Sequence, residues 1–134
     1  MQPIALAEDE RRTLASLAVH ALEPAGERLM LAARLGVPEE HTATCVREVV
    51  AETQVIARIF EAAHDGVIDV GDPAIRRWLG GRRDALLSLL REDRAALRRT
   101  AGEEVATARR WELVDEDLDE LALVARLLSD ALGR

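Results

Sequence analysis

Between positions 61 and 72 the chain reads EAAHDGVIDVGD, with four carboxylates, Glu61, Asp65, Asp69 and Asp72, arranged around Gly66. Oxygen donors at short intervals around a tight glycine turn suit a hard cation, which takes about six to eight oxygens when it is calcium. Glu61 and His64 stand three apart, half of the doubled Glu-x-x-His set that holds two metals between helices. No second Glu-x-x-His occurs. Upstream, His41 and Cys45 fall at i and i+4 on one helical face, with Glu48 beyond. That spacing suits a base and a nucleophile, or two metal ligands, yet no orienting partner or third ligand accompanies it. The chain has no serine-nucleophile motif and no glycine loop for a phosphate.

With Gly66 as sixth position, residues 61–72 resemble the calcium loop of the EF-hand family. Glu61 is then first, Asp65 fifth, Ile68 eighth, Asp69 ninth and Asp72 twelfth, with Phe60 just before. The resemblance implies calcium held by Glu61, Asp65, Asp69 and Asp72; the third position, Ala63, offers no oxygen. The helix–Asp-Gly–helix connection is also similar to that of the tellurite-resistance TerB-like helical domains. Helix punctuation explains the same residues. Asp72-Pro73 is an N-cap followed by proline at the first helical position, and Asp65-Gly66 is a stop. Val67 and Ile68 then fold back as an apolar plug, and no metal is expected.

Residues 31–47, LAARLGVPEEHTATCVR, resemble a helix-turn-helix, with Leu35-Gly36-Val37 as the turn. The would-be recognition helix opens with Glu39 and Glu40, has Thr42 where an apolar residue normally inserts, and has its only arginine at Arg47. Phosphates repel such a surface, which disfavours nucleic acid. Arg58 and His64, five residues between them, resemble the Arg–His spacing of the HEPN ribonucleases, with Ile59 in place of the usual polar neighbour. The plainer role of His64 is to close the Phe60 stripe.

Composition limits the frame for any such site. The 134 residues are 49% hydrophobic, yet Phe60, Trp78 and Trp111 are the only aromatics. Leu, Ala and Val must build the core, which favours packed helices over sheets. No window approaches the length of a membrane span. MQPIALAEDE lacks the basic start and apolar core of a signal peptide, and Cys45 is the only cysteine, so a cytoplasmic protein is expected. The net charge of −7 is uneven. Residues 1–71 hold 6 Arg and 12 acids, residues 72–110 hold 10 Arg and 6 acids, and residues 111–134 hold 2 Arg and 7 acids.

Periodicity and breakers predict an all-α single domain over residues 1–134, a bundle of five to six helices around a long central helix at about 38–63. A first helix, 7–22, is closed by Pro24, and a second covers 25–35. The central helix carries a stripe of Val46, Val49, Val50, Thr53, Ile56, Ala57 and Phe60. A short helix, 73–79, is stopped by Gly80-Gly81. The next runs over 82–99 with Leu86, Leu89, Leu90, Ala96 and Leu97 inward. Thr100 with Glu103 is a capping-box pattern, and a break is expected near 100–102. The last helix starts near Asp115, with Leu118, Leu121, Ala125, Leu128 and Leu132 inward.

The function expected of this object is non-enzymatic: a small regulatory or adaptor protein that binds a protein partner, or itself as a twofold dimer, through a helical face. Trp and Arg are enriched at interface hot spots. Arg76, Arg77, Trp78, Arg82 and Arg83, and Arg110 with Trp111, are therefore the interaction candidates. Internal neutralisation by the acidic stretch 115–120 competes for the same arginines. No cofactor is expected. The alternatives are a DNA-binding regulator using residues 31–50 and a metal-binding helical module using 61–72. Val55, Ile59 and Ala62, and Leu123, Val124 and Leu127, lie off the two long stripes and extend the apolar surface available to a partner.

Overall fold

A computed structural model describes residues 1–34, 39–99 and 104–133. The chain order is β1 (Pro3–Ala5), α1 (Glu8–Arg34), α2 (Glu39–Asp65), β2 (Val67–Asp69), α3 (Pro73–Arg99) and α4 (Glu104–Leu132). The all-α class holds. The helix count is four among the described residues, where breakers predicted five to six. Leu35-Gly36-Val37-Pro38 and the expected break at 100–102, with Thr100 and Glu103, lie outside the described residues.

Two compact units divide the chain, one comprising Ala5–Ile68 and the other Met1–Ile4 with Asp69–Arg134. In the first, α1 and α2 form a hairpin. The α1 start is set by Glu8, Asp9 and Glu10 at the positive end of the helix dipole. The Glu10 carboxylate also reaches back to accept a hydrogen bond from the Ala7 N–H at 3.0 Å. Arg11 pins the far end of α2: its Nε donates to the Ala63 carbonyl at 2.9 Å, and its Nη2 donates to the His64 carbonyl. These are last-turn carbonyls with no partner inside their own helix. Further along, Arg28 pairs with Glu52. Rising numbers in α1 thus meet falling numbers in α2, and the pair is antiparallel.

Pro24 lies inside α1 rather than closing it. A mid-helix proline costs about 3 kcal/mol. Here the ring is exposed, while Leu14, Leu17, Ala18, Ala21 and Ala25 form a continuous buried seam across it. Packing along that seam outweighs the local break. The α2 seam is Val49, Ile56, Ile59 and Ala63, with Cys45 and Glu52 half-buried in the same register. This is the alternating three-and-four spacing of a helix–helix seam. It is rotated from the predicted stripe: Val46 and Val50 are exposed, and Ile59, read as off-stripe, is fully buried.

Gly66 ends α2. Its φ of +78° is the left-handed conformation favoured by glycine, and its N–H donates to the Ala62 carbonyl at 2.8 Å. Beyond it, β2 pairs with β1 in a two-stranded sheet. Alternation then buries Ile68 and Val70 and leaves Val67 exposed, so half of the predicted apolar plug faces solvent.

In the second unit Asp72 caps α3, accepting a hydrogen bond from the Ala74 N–H at 2.9 Å, with Pro73 at the first helical position. Helix α3 then runs straight through Gly80-Gly81, because Ile75, Leu79, Leu86 and Ala96 keep one buried seam on both sides of the pair. Helix α4 is continuous through Asp115. Among its described side chains, Val114, Glu120, Leu123, Val124, Leu127 and Ala131 are buried; Leu118, Ala125 and Leu132, predicted inward, are exposed. Leu89 of α3 is exposed as well.

Gly80 and Gly81 have open space where a Cβ would be added. In a helix interior glycine costs about 1 kcal/mol relative to alanine. Gly80→Ala with Gly81→Ala is expected to raise stability by about 1–2 kcal/mol in chemical denaturation; a loss of stability would show that the glycines are needed as a break.

Candidate functional site

The acidic stretch that opened the sequence is used in holding the backbone. Asp69 Oδ1 accepts hydrogen bonds from the Gln2 N–H at 2.7 Å and the Gly71 N–H at 2.9 Å. A Cβ on Gly71 would come within 2.9 Å of the Gln2 nitrogen, so the approach that makes these bonds requires glycine. Asp72 is spent on the α3 cap. Glu61 and Asp65 are exposed on the last turns of α2. Among the described residues, no group of three or more His, Cys, Asp or Glu side chains is placed to hold a metal.

The other motif residues are distributed along α2. His41 and Glu48 are exposed and Cys45, a free thiol, is half-buried in the seam. Arg58 and His64 are both exposed and about 120° apart around the helix. Beside His64 lies an open cleft of about 590 Å³ lined by Glu8, Arg11, Arg12, Phe60 and neighbouring alanines. Its lining has no Ser, Thr or Cys, and Arg11 is committed to the α2 carbonyls. The α1–α2 pair around residues 31–50 is an antiparallel hairpin, unlike the roughly perpendicular crossing of a helix-turn-helix.

The predicted interaction residues fall into two groups on the second hairpin. Arg76 donates to the Val70 carbonyl at 3.2 Å and Arg77 to the Pro73 carbonyl at 3.4 Å, so both brace the start of α3. Trp78 is half-buried, and its Nε1, like the Nε of half-buried Arg82, is enclosed without a hydrogen-bond partner. Arg83 pairs with Asp84 at the surface. Arg110 and Trp111 lie about 25 Å away along the helices. Arg110 donates to buried Asp93 at 3.0 Å and Arg83 lies beside Ala125 and Leu128, so rising numbers in α3 meet falling numbers in α4 and the pair is antiparallel.

Next to that bridge, Leu90, Arg94, Leu97, Arg98, Trp111 and Val114 line a shallow, mostly apolar cleft of about 470 Å³. Trp111 is 52% exposed, and Arg94 and Arg98 rim it. This combination of an uncovered indole, leucine floor and guanidinium rim is the site that most resembles a binding surface. Arg94 and Arg98 were missed among the candidates, although their i, i+4 spacing beyond Leu90 marks one helical face. Comparison with protein-family models, with curated proteins and with solved structures finds no match to this chain. No described helix is long and apolar enough to cross a membrane.

Below the cleft the seam turns acidic. Asp93 and Glu120 are buried, and Asp117 is half-buried between them. Burial raises the Asp117 carboxyl to about 6, assisted by the charges of Glu120 and Asp93, a hydrogen bond with Asp93, and the charge of Glu116. A carboxyl whose folded value is raised binds its proton more tightly folded than unfolded. It therefore opposes folding at neutral pH, and that opposition fades as pH falls from about 6 to about 4.

Asp117→Asn is expected to raise the melting temperature at pH 7.5 and to lose that advantage near pH 4, read by circular dichroism across pH; an equal gain at both ends would show that the proton is irrelevant. For the acidic stretch, Asp69→Ala is expected to lower stability by about 1–3 kcal/mol. About 1 mM calcium is expected to leave the melting temperature of the unaltered protein unchanged. A calcium-dependent rise that Asp65→Ala removes would restore the cation site.

Proposed function

We propose that this protein is a non-enzymatic interaction module, a regulatory or adaptor protein that binds a protein partner through a helical face. One observation carries the reading: Trp111 stands half in solvent over a leucine-floored cleft rimmed by Arg94 and Arg98. Tryptophan and arginine give the largest losses when removed from interfaces, and a large apolar ring left in water favours being covered. Leu87, Leu113 and Leu118 are also exposed on the same hairpin, extending the apolar area beyond one side chain. The use of Asp69, Asp72 and Arg11 to hold backbone groups supports a structural reading of those three residues.

A benzophenone amino acid placed at position 111 in the producing cell reports what covers the ring. Irradiation is expected to give one dominant protein adduct, identifiable by mass spectrometry as this chain or another protein. The same group placed at exposed position 61 controls for random capture. No adduct above that control would sink the reading.

A further inference from the structure

We propose that the face of the α3/α4 hairpin bearing Trp111 takes a second copy of the chain, with α3 of each copy lying across α4 of the other about a twofold axis parallel to the helices. This deepens the interaction reading and rests on it. The argument starts from charge. On this face α3 presents Arg91, Arg94 and Arg98, all exposed, with exposed Leu87 on the same side. By helical spacing α4 presents Trp111, Asp115, Leu118 and Asp119 on one face, at i, i+4, i+7 and i+8, all exposed. Among the described residues, Arg91, Arg94, Asp115 and Asp119 make no ion pair within the chain. The surface is thus basic along one edge, acidic along the other and apolar between.

The helix register supplies the heights. Asp93 bonds Arg110 and also Asp117, so it sits level with the midpoint of those two α4 positions. At about 1.5 Å per residue, Arg91 and Asp115 then lie within about 1–2 Å of one height, with Arg94 and Asp119 each about a turn away from that level, on opposite sides of it. A twofold axis parallel to the helices preserves height and exchanges the two edges. It sets Arg91 of each copy against Asp115 of the other, with Arg94 within about a turn of that Asp115 and Asp119 within about a turn of that Arg91, and with Trp111, Leu118 and Leu87 between. The other in-plane twofold, perpendicular to the helices, would lay the arginine edge on itself and is disfavoured by like charge.

The area is sufficient. Two adjacent helices of this length offer about 40 Å by about 20 Å, roughly 800 Å² per partner, the size of a standard stable interface. The contact is isologous, so each pairing occurs twice and the dimer closes without leaving a free copy of the face. The product is a four-helix contact built from two antiparallel hairpins, with charges at its edges that favour correct pairing and steer the approach.

The test is a charge swap on the full chain, read by light scattering after size exclusion at tens of micromolar. The unaltered protein is expected to be a dimer that weakens as salt rises. Arg91→Glu with Arg94→Glu is expected to be monomeric, weakened at least about tenfold. Asp115→Arg with Asp119→Arg is expected to behave likewise. Mixing the two variants restores complementary charges at both contacts, and a heterodimer is expected to return. Circular dichroism confirms that each variant is folded, and the return on mixing cannot come from misfolding. A monomeric unaltered protein, or a dimer indifferent to both reversals, overturns this proposal. In either case, position 111 cross-linking to a different protein would leave the broader interaction reading standing, whereas no cross-link at all would remove that as well.

Discussion

The bond between Arg110 and Asp93 sets the register on which the second hairpin depends. Two smooth apolar helices can slide past one another by a turn at little cost, because one leucine is much like the next. A buried carboxylate met by a guanidinium at 3.0 Å cannot be displaced in that way without leaving a charge unpaired in the seam. Every relation on that hairpin follows from this pin. It brings Trp111 beside Leu90 and Leu97, and Arg94 and Arg98 to the rim of the same cleft. It also places Asp117 against Asp93, where burial and the neighbouring acids raise its proton affinity.

The first hairpin achieves the same end by a different device. Arg11 reaches from the start of α1 to the carbonyls that end α2, so the cation both neutralises the negative pole of a helix and fixes how far the two helices overlap. Its seam is built largely from alanine on the α1 side, which gives little side-chain bulk to define a register. A directional bond to backbone therefore adds a constraint that small apolar contacts lack.

Much of the local punctuation was legible in the residues. The second long helix, predicted over 38–63, is Glu39–Asp65, and Asp72, Pro73 and Gly66 act where their chemistry places them. Two errors had one cause: Pro24 and Gly80-Gly81 are strong local breakers, but each lies within a helix whose buried seam is unbroken on either side. The apolar stripes were misplaced for a complementary reason. Inward positions in the last three helices hold Glu52, Arg82, Asp93, Asp117 and Glu120 wholly or partly out of solvent, while Val46, Val50 and Leu118 face water. Counting apolar residues finds a face, and it misses the inward one when charges occupy part of the core. Trp111 was recognisable from its type; Arg94 and Arg98, which rim the same cleft, come from the neighbouring helix and needed the register to be known.

The short N-terminal segment has a consequence for the order in which the chain can assemble. Gln2 donates its backbone N–H to Asp69 and its side-chain amide to the carbonyl of Asp130, so residues that precede both hairpins are held in part by residues near the end of α4. During synthesis the α1–α2 hairpin can close as soon as it has emerged, since its partners are contiguous. Residues 1–4 can then pair with β2, but the bond from the Gln2 side chain to Asp130 must wait until α4 has been almost completely translated. The second hairpin consequently completes its contacts by capturing a segment made before either hairpin, a closure across 128 positions.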